Sequence, residues 1–226
     1  MNATIDPNSL LLEAVADALQ PLLDELVLVG GCVIGLLITD KAQPEIRTTE
    51  DVDLITEITT YANYVQLSQK LKELGFKEGD ITCRWVKANL LIDIMPKNEK
   101  ILGFANVWYE LATQESIEHI LPNGKKIRHV TAPLFIATKL VSFQDRGNNN
   151  YQHHDIEDIV TVINSRVELE EEIQNGPTDV RAFIKDEFEL MLANTEFTNT
   201  LSGHIRPQPP RRGEVVIERM RKIAGI

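Results

Sequence analysis

The stretch RTTEDVDLIT, residues 47–56, decides the fold assignment. Its aliphatic residues indicate a buried β-strand, yet two alternate positions are acidic, Asp51 and Asp53. Side chains two residues apart on a strand point to the same face, with Cα atoms ~6.6 Å apart. Half-buried carboxylates without a countercharge repel each other and resist desolvation. A divalent cation would remove this conflict, although an isolated D-x-D pair can also mark a strand end or a helix cap.

A third acid lies in another apolar segment. The run NLLIDIM, residues 89–95, is apolar on both faces except at Asp93, and with ITCRWV, residues 81–86, it predicts a hairpin around the turn Lys87-Ala88-Asn89. If this strand lies beside DVDLI, Asp93 completes an all-oxygen site suited to Mg²⁺ or Mn²⁺. The absence of histidine or thiolate from this set disfavours zinc.

A glycine pair lies upstream of the acids. Gly30 and Gly31 end the predicted strand LVLVG and begin a predicted helix, CVIGLLIT. Backbone N–H groups and the dipole at a helix start can receive a phosphate, although such a pair can equally be a tight turn. A phosphate cradle, two metal-binding acids and a third acid are what in-line phosphoryl or nucleotidyl transfer requires.

This order of motifs resembles the nucleotidyltransferase superfamily of the polymerase-beta type. Within it, the sequence is most similar to the bacterial group that includes the AbiEii toxins of type IV toxin–antitoxin and phage-defence systems. The resemblance covers roughly residues 25 to 162 and includes a second motif, APLFIATKLVSFQDRGNNNYQHHDIEDI. The matching residues are Gly30, Gly31, Arg47, Thr49, Asp51, Asp53, Asp93, Lys139, Arg146, Asp155 and Asp158.

The resemblance implies a Mg²⁺-dependent transfer of a nucleoside monophosphate from an NTP to an acceptor, with loss of pyrophosphate. Asp51 and Asp53 would hold the metals, Asp93 would share a metal and help deprotonate the acceptor, and Lys139 would pair with the triphosphate. The acceptor would be RNA such as a tRNA end, a protein hydroxyl or a small molecule, and a cognate antitoxin is a candidate partner. A non-catalytic nucleotide-binding or regulatory protein that retains the fold is the alternative.

The residues of the second motif allow two interpretations. On a helix, Lys139 and Arg146 project from one face and could clamp phosphates. Alternatively they are solvated helix charges, or Lys139 pairs structurally with Asp155. Adjacent His153 and His154 would point about 100° apart on a helix, which makes them poor joint metal ligands and favours a role at the helix start.

The pattern along the chain predicts an α/β lobe over residues 1–130 and a helical lobe over residues 131–226. The first would be a nucleotidyltransferase-like mixed sheet flanked by helices. The second ends in a basic, proline-rich tail at residues 201–226, where HIRPQPPRRG reads as an extended linker. Helices are predicted at residues 8–20, 61–74, 132–145, 153–164, 167–174, 178–193 and 214–222.

Composition bounds the remaining properties. The chain has 226 residues, 43% of them hydrophobic, and a formal net charge of −11. No apolar run reaches the ~20 residues of a membrane span, and the N-terminus lacks the features of a signal peptide, so a cytoplasmic protein without membrane partners is expected. The two cysteines lie among apolar residues, which predicts buried free thiols.

The charge is unevenly distributed. Residues 201–226 contain six basic and two acidic residues, a net charge of +4, so the rest of the chain carries −15. Such a tail could fold back on the acidic body, pair with a neighbouring subunit or meet a polyanion. The low positive charge elsewhere argues against broad electrostatic capture of nucleic acid.

Overall fold

The computed structural model describes residues 6–40, 45–205 and 211–226. The chain forms two compact units, an α/β unit of Asp6–Gly35 and Thr48–Thr131 and a helical unit that includes Leu36–Arg47 and Ala132–Ile226. Part of the predicted proline-rich linker, including Arg206, lies outside the described residues.

A mixed sheet organises the α/β unit. Within the described residues its strands are β1 (Leu26–Val29), β2 (Asp51–Thr56), β3 (Lys77–Glu78), β4 (Arg84–Lys87), β5 (Leu90–Pro96), β6 (Ile117–Ile120) and β7 (Lys126–His129). They lie in the order β3-β4-β5-β2-β1-β7-β6. The pairs β2–β5 and β1–β7 are parallel, and the other neighbours are antiparallel. The predicted α/β class with a mixed sheet is therefore confirmed.

Short helices accompany the strands. They are α1 (Ser9–Ala18), α2 (Ile34–Leu37), α3 (Tyr61–Glu73), α4 (Glu99–Leu102) and α5 (Tyr109–Gln114), with 3-10 turns at Gln20–Glu25 and Gly31–Val33. Helix α1 buries Leu12 and Val15 and packs against β2 and β5, as its apolar spacing predicts. Helices α4 and α5 occupy a region where the sequence pattern is too weak to predict an element.

The predicted helix CVIGLLIT is shorter in the structure. It consists of the 3-10 turn at Gly31–Val33 followed by the single turn of α2. Beyond α2, the backbone N–H groups of Thr39 and Asp40 both donate to the carbonyl oxygen of Ser165, at 3.0 and 2.8 Å. These bonds replace the intrahelical bonds that continuation of the helix would need.

Helices make up the second unit. They are α6 (Ala132–Arg146), α7 (His154–Ser165), α8 (Leu169–Asn175), α9 (Thr178–Ala193), α10 (Thr195–Thr200) and α11 (Arg212–Ala224), with a 3-10 turn at Leu201–His204. Their apolar faces form a core that includes Phe135, Ile159, Ile184, Phe188 and Met220. The helices predicted between residues 132 and 193 are present with ends shifted by at most a few residues, whereas α10 was not predicted.

Part of the basic tail folds back on its own unit. The guanidinium of Arg219 donates to the carbonyl oxygens of Ile163 and Asn164 at 2.6 and 3.0 Å, and Arg212 donates to Asn164 and to Asp40. These carbonyls belong to the last turn of α7, where cations are favourable because of the helix dipole. Two of the six basic residues are therefore engaged in closing the helical unit.

Candidate functional site

The three predicted metal-binding acids lie together on two adjacent strands. In the parallel pair of β2 and β5, Asp53 is directly opposite Asp93, and Asp51 is two residues earlier on β2. Alternation along a strand therefore places all three side chains on the same face of the sheet. Asp93 is buried, and Asp51 and Asp53 are half-buried. We call Asp51, Asp53 and Asp93 the acidic site.

An arginine that the sequence did not point to supplies a countercharge to this site. Arg84 of β4 is opposite Asp93 in the antiparallel pair of β4 and β5. Its Nε and Nη2 atoms each donate to the Asp93 carboxylate at 2.8 Å, and Nη2 also donates to Asp51 Oδ2 at 2.9 Å. Asp51 and Asp93 therefore have a countercharge from the protein itself, a contribution that the sequence did not predict. The hydrogen bonds to Asp93 and the attraction of the acids raise the pKa of Arg84.

Two polar residues hold the start of β2 in place. The Thr49 hydroxyl donates to Asp51 Oδ1 at 3.0 Å, so this matched residue orients a predicted metal ligand. The backbone N–H of Thr49 donates to the side-chain oxygen of Asn8 at 3.0 Å. Asn8 is buried at the start of α1, and the sequence predicts only a helix start at this position.

Gly30 packs directly against the acidic site. Its backbone has φ 69° and ψ −167°, a conformation accessible essentially only to glycine. A Cβ atom added at this position would lie 1.9 Å from Asp53 Oδ2. Glycine is therefore required here both by the backbone conformation and by the approach of the Asp53 carboxylate. Gly31 begins the following 3-10 turn, so the predicted pair does end β1, and its binding to phosphate remains a prediction.

The second predicted motif forms a separate ion-pair cluster inside the helical unit. Lys139 of α6 is buried, and its ammonium is 2.9 Å from Asp155 Oδ1 and 2.7 Å from Asp158 Oδ2. Both acids belong to α7, three residues apart on one face, and their side chains are almost fully buried. The structure thus shows the structural pairing of Lys139 with Asp155, one of the predicted alternatives. The pairing of Lys139 with a triphosphate remains a prediction.

Two arginines cover the same acids. Arg146 makes a bidentate contact with Asp155, with both nitrogen–oxygen distances at 3.0 Å, and Arg47 contacts Asp158 at 3.2 and 3.4 Å. Their side chains are 57% and 31% exposed, in contrast to 7% for Lys139. We call Arg47, Lys139, Arg146, Asp155 and Asp158 the ion-pair cluster. Of its cations, the arginines are the ones that solvent reaches.

The cluster keeps its carboxylates ionised. Burial by itself raises the pKa of Asp155, but the charge of Lys139 and hydrogen bonds from Arg146 and Lys139 outweigh it and hold the pKa well below 3.8. Burial similarly opposes the charge on Lys139, and attraction by Asp158 and Asp155 raises its pKa above 10.5. Both groups are therefore charged at neutral pH.

This shift predicts an acid-sensitive contribution to stability. Because the pKa of Asp155 is lowered on folding, its contribution is fully present above the unfolded value near 3.8 and is lost as the pH falls through the folded value. We expect Asp155→Asn to be less stable than wild type at pH 6, with the gap narrowing below pH ~4. Urea unfolding between pH 2 and 7 measures this gap, with Asp186→Asn as a surface control. A gap independent of pH would contradict the assignment.

The two histidines before Asp155 act at the helix start. His153 is the N-cap of α7, and its Nδ1 accepts from the backbone N–H of Asp155 at 3.2 Å. Burial lowers the pKa of His154, which disfavours its charged form. His153, His154 and Asp155 can bring one ligand atom each within 4.8 Å, but the carboxylate already binds Lys139 and Arg146. The structure therefore agrees with the predicted helix-start role.

The donor set of the acidic site fits Mg²⁺ or Mn²⁺. Hard divalent cations prefer carboxylate oxygens, and the site offers three carboxylates on one face of the sheet. One Arg84 nitrogen lies within hydrogen-bonding distance of both Asp51 and Asp93, so a single cationic centre can be shared by these two acids. Burial and then the charges of Asp93 and Asp53 raise the pKa of the Cys83 thiol to about 11, which disfavours the thiolate in the metal-free protein.

The fold and the acidic site together define an α/β protein with three carboxylates on one face of a mixed sheet. No family model matches the chain, and no curated protein matches it by sequence. Among solved structures, the chain is similar to an antigenic nucleotidyltransferase-like protein from Paracoccidioides brasiliensis, with a TM-score of 0.52 and 18% identity over 89% of this chain and 94% of that one. At this identity the similarity concerns the fold.

Among the described residues, no helix is both long and apolar enough to cross a membrane.

Proposed function

We propose that this protein is a Mg²⁺-dependent nucleotidyltransferase that transfers a nucleoside monophosphate from an NTP to an acceptor hydroxyl. The observation that carries the proposal is the placement of Asp51, Asp53 and Asp93 on one face of β2 and β5. The packing of Gly30 against Asp53 adds a backbone turn beside the acids. The similarity in fold to a nucleotidyltransferase-like protein supports this class of reaction.

The three acids would divide metal binding and proton transfer in this reaction. Asp51 and Asp53 would hold the metal, Asp93 would share it, and Thr49 orients Asp51 for that purpose. Bound Mg²⁺ would neutralise the negative charge that develops on the phosphates. Asp93 accepts the proton of the acceptor hydroxyl as its oxygen attacks the α-phosphorus. The bond between the α-phosphorus and the bridging oxygen breaks, and pyrophosphate leaves.

The motif order supports membership of the AbiEii-like group, with a cytoplasmic toxin or phage-defence role and a cognate antitoxin as partner. The described residues do not select one class of acceptor. An RNA acceptor requires cationic contacts to phosphates, whereas Arg212 and Arg219 are engaged with the end of α7 and the net charge is −11. Protein hydroxyls and small molecules therefore belong in the acceptor screen beside tRNA.

A non-catalytic nucleotide-binding or regulatory protein is the second candidate. Two observations favour it: Arg84 already forms ion pairs with Asp51 and Asp93, and Lys139 forms ion pairs with Asp155 and Asp158. A protein of this kind would bind an NTP without incorporating it into any acceptor.

Labelled nucleotides separate these candidates. The protein is incubated with Mg²⁺ and each NTP labelled at the α- or γ-phosphate, together with total RNA, total protein or small-molecule acceptors. Transfer predicts that only the α-label joins the acceptor and that pyrophosphate is released. Bound but unchanged NTP would favour the second candidate, and release of orthophosphate would indicate hydrolysis.

Substitution of an acid in the acidic site should reduce the nucleotidyl transfer that the labelled nucleotides measure. We expect Asp53→Asn to reduce transfer of the α-label by about 100-fold or more, because it removes a charged ligand that stabilises the transition state. The exposed Asp24→Asn in the same unit removes one carboxylate elsewhere and should retain activity. Full activity of Asp53→Asn would contradict the proposed role of this acid.

A further inference from the structure

The Arg84 guanidinium contacts the carboxylates of the acidic site that a divalent cation would bind. Its Nη2 atom is shared by Asp51 Oδ2 and Asp93 Oδ2, and its Nε atom binds the other oxygen of Asp93. The guanidinium therefore uses lone pairs on two of the three acids that a divalent cation would use. Arg84 lies opposite Asp93 in the sheet, so this contact is built into the strand register.

Backbone hydrogen bonds hold the Arg84 main chain in place, whereas its side chain is partly exposed. The Arg84 carbonyl accepts from the N–H of Gly79 at 2.8 Å, and the Arg84 N–H donates to Ile81 at 3.0 Å. A Cβ on Gly79 would lie 2.6 Å from Arg84 Cγ, so this glycine leaves room for the aliphatic stem. The Arg84 side chain is 23% exposed, and Asp80 on the adjacent turn also attracts it. Rotation toward solvent therefore requires no change in the strand.

We propose that Arg84 is an exchangeable counter-ion, which holds Asp51 and Asp93 together in the metal-free protein and is displaced when a divalent cation binds them. This inference rests on the proposed function, because it concerns the same acidic site. A divalent cation and the Arg84 guanidinium would repel each other and compete for the same lone pairs on Asp51 and Asp93. Three carboxylates with one guanidinium carry a net charge of −2, whereas the same acids with a divalent cation carry −1. Exchange is therefore electrostatically favourable, and the lost arginine contacts weaken the apparent metal affinity.

The counter-ion also explains how three neighbouring acids are tolerated before the metal arrives. Without Arg84, Asp51 and Asp93 would repel each other at the centre of the sheet. The metal-free protein lacking this arginine should therefore be less stable, and a divalent cation should restore more of its stability than it adds to wild type.

Titration with Mn²⁺ alone tests the exchange. Free Mn²⁺ is measured by electron paramagnetic resonance in wild type, Arg84→Gln and Arg84→Lys, and thermal unfolding is followed with and without Mn²⁺. Because a charge-assisted contact must be broken in wild type but not in Arg84→Gln, we expect Arg84→Gln to bind Mn²⁺ about ten-fold more tightly than wild type. Arg84→Lys, which keeps the charge, should fall between them and serves if Arg84→Gln does not fold.

Lys126→Gln is the charge-matched control. Lys126 is exposed on β7, which three strands (β5, β2 and β1) separate from β4, and it forms a surface ion pair with Glu118. The affinity of the Lys126→Gln variant for Mn²⁺ should equal that of wild type. Equal or weaker binding by Arg84→Gln overturns the exchange and leaves the proposed function intact, because the metal still binds. Absence of Mn²⁺ binding by wild type and by Arg84→Gln overturns the exchange and also removes the metal from the proposed function.

Discussion

Replacing Lys139 by methionine is expected to lower the free energy of unfolding by about 3–5 kcal/mol. Methionine can fill the space of the aliphatic stem, so packing changes little. The ammonium that contacts both Asp155 and Asp158 is lost, and these acids are 0% and 1% exposed. The cost is therefore that of leaving buried carboxylates with fewer compensating charges, and urea unfolding at pH 7 measures it.

A double substitution shows whether charge is the cause. Adding Asp158→Asn to Lys139→Met removes one of the stranded charges and should recover part of the lost stability. The matched surface variant, Lys222→Met, breaks an exposed pair with Glu218 in the same unit and should cost less than about 0.5 kcal/mol. A Lys139→Met protein as stable as Lys222→Met would show that the cluster does not contribute to folding.

Replacing Gly30 by alanine is expected to lower the free energy of unfolding by about 2–5 kcal/mol, the combined size of backbone strain and overpacking. The new Cβ would overlap the Asp53 carboxylate, 1.9 Å away, in a backbone conformation that alanine rarely adopts. Relief of the overlap requires Asp53 to move. We therefore expect the folded fraction of this variant to bind Mn²⁺ more weakly than wild type.

Gly124 provides a control that separates the two effects. It also has a positive φ, 79°, but a Cβ there would meet nothing within 4 Å. Gly124→Ala should therefore cost only the conformational strain, about 1–2 kcal/mol, with unchanged Mn²⁺ binding. Equal losses for the two variants would show that the contact between Gly30 and Asp53 is unimportant.

The geometry of the acids follows from simple strand rules. Alternation on β2 places Asp51 and Asp53 on one face, and the apolar character of NLLIDIM predicts an interior strand able to lie beside it. The structure pairs Asp53 with Asp93 in register. These features are readable from sequence because burial on both faces leaves few positions where a carboxylate can occur.

The sequence did not predict the contact between Arg84 and Asp93, because the predicted hairpin turn is one residue longer than the observed one. The predicted turn of Lys87-Ala88-Asn89 would pair Arg84 with Ile92, whereas the observed turn is Ala88-Asn89 and pairs Arg84 with Asp93. A one-residue shift in register moves every side chain relative to its partner. Ala88 takes φ 52° in this turn, and alanine at such a position gives no sequence signal for a two-residue turn.

For the ion-pair cluster, the sequence predicts which residues are charged neighbours but not which of them are buried. The spacing of Lys139, Arg146, Asp155 and Asp158 predicts a charged face on each of two helices, but the pattern is equally compatible with a phosphate clamp and with internal pairing. Only the packing of α6 on α7 determines that Lys139 is buried between the acids while Arg146 remains largely exposed. Burial depends on tertiary contacts, which helix periodicity does not specify.

Magnesium-dependent NTP binding tests the central claim most directly. Isothermal titration of each NTP is carried out with and without Mg²⁺ on wild type, on Asp51→Asn/Asp53→Asn and on the exposed control Asp24→Asn. We predict binding that requires Mg²⁺ in wild type and in Asp24→Asn and is lost in the double variant, while all three proteins remain folded. Equal NTP binding by wild type and the double variant, or no binding by either, would contradict the assignment of the acidic site.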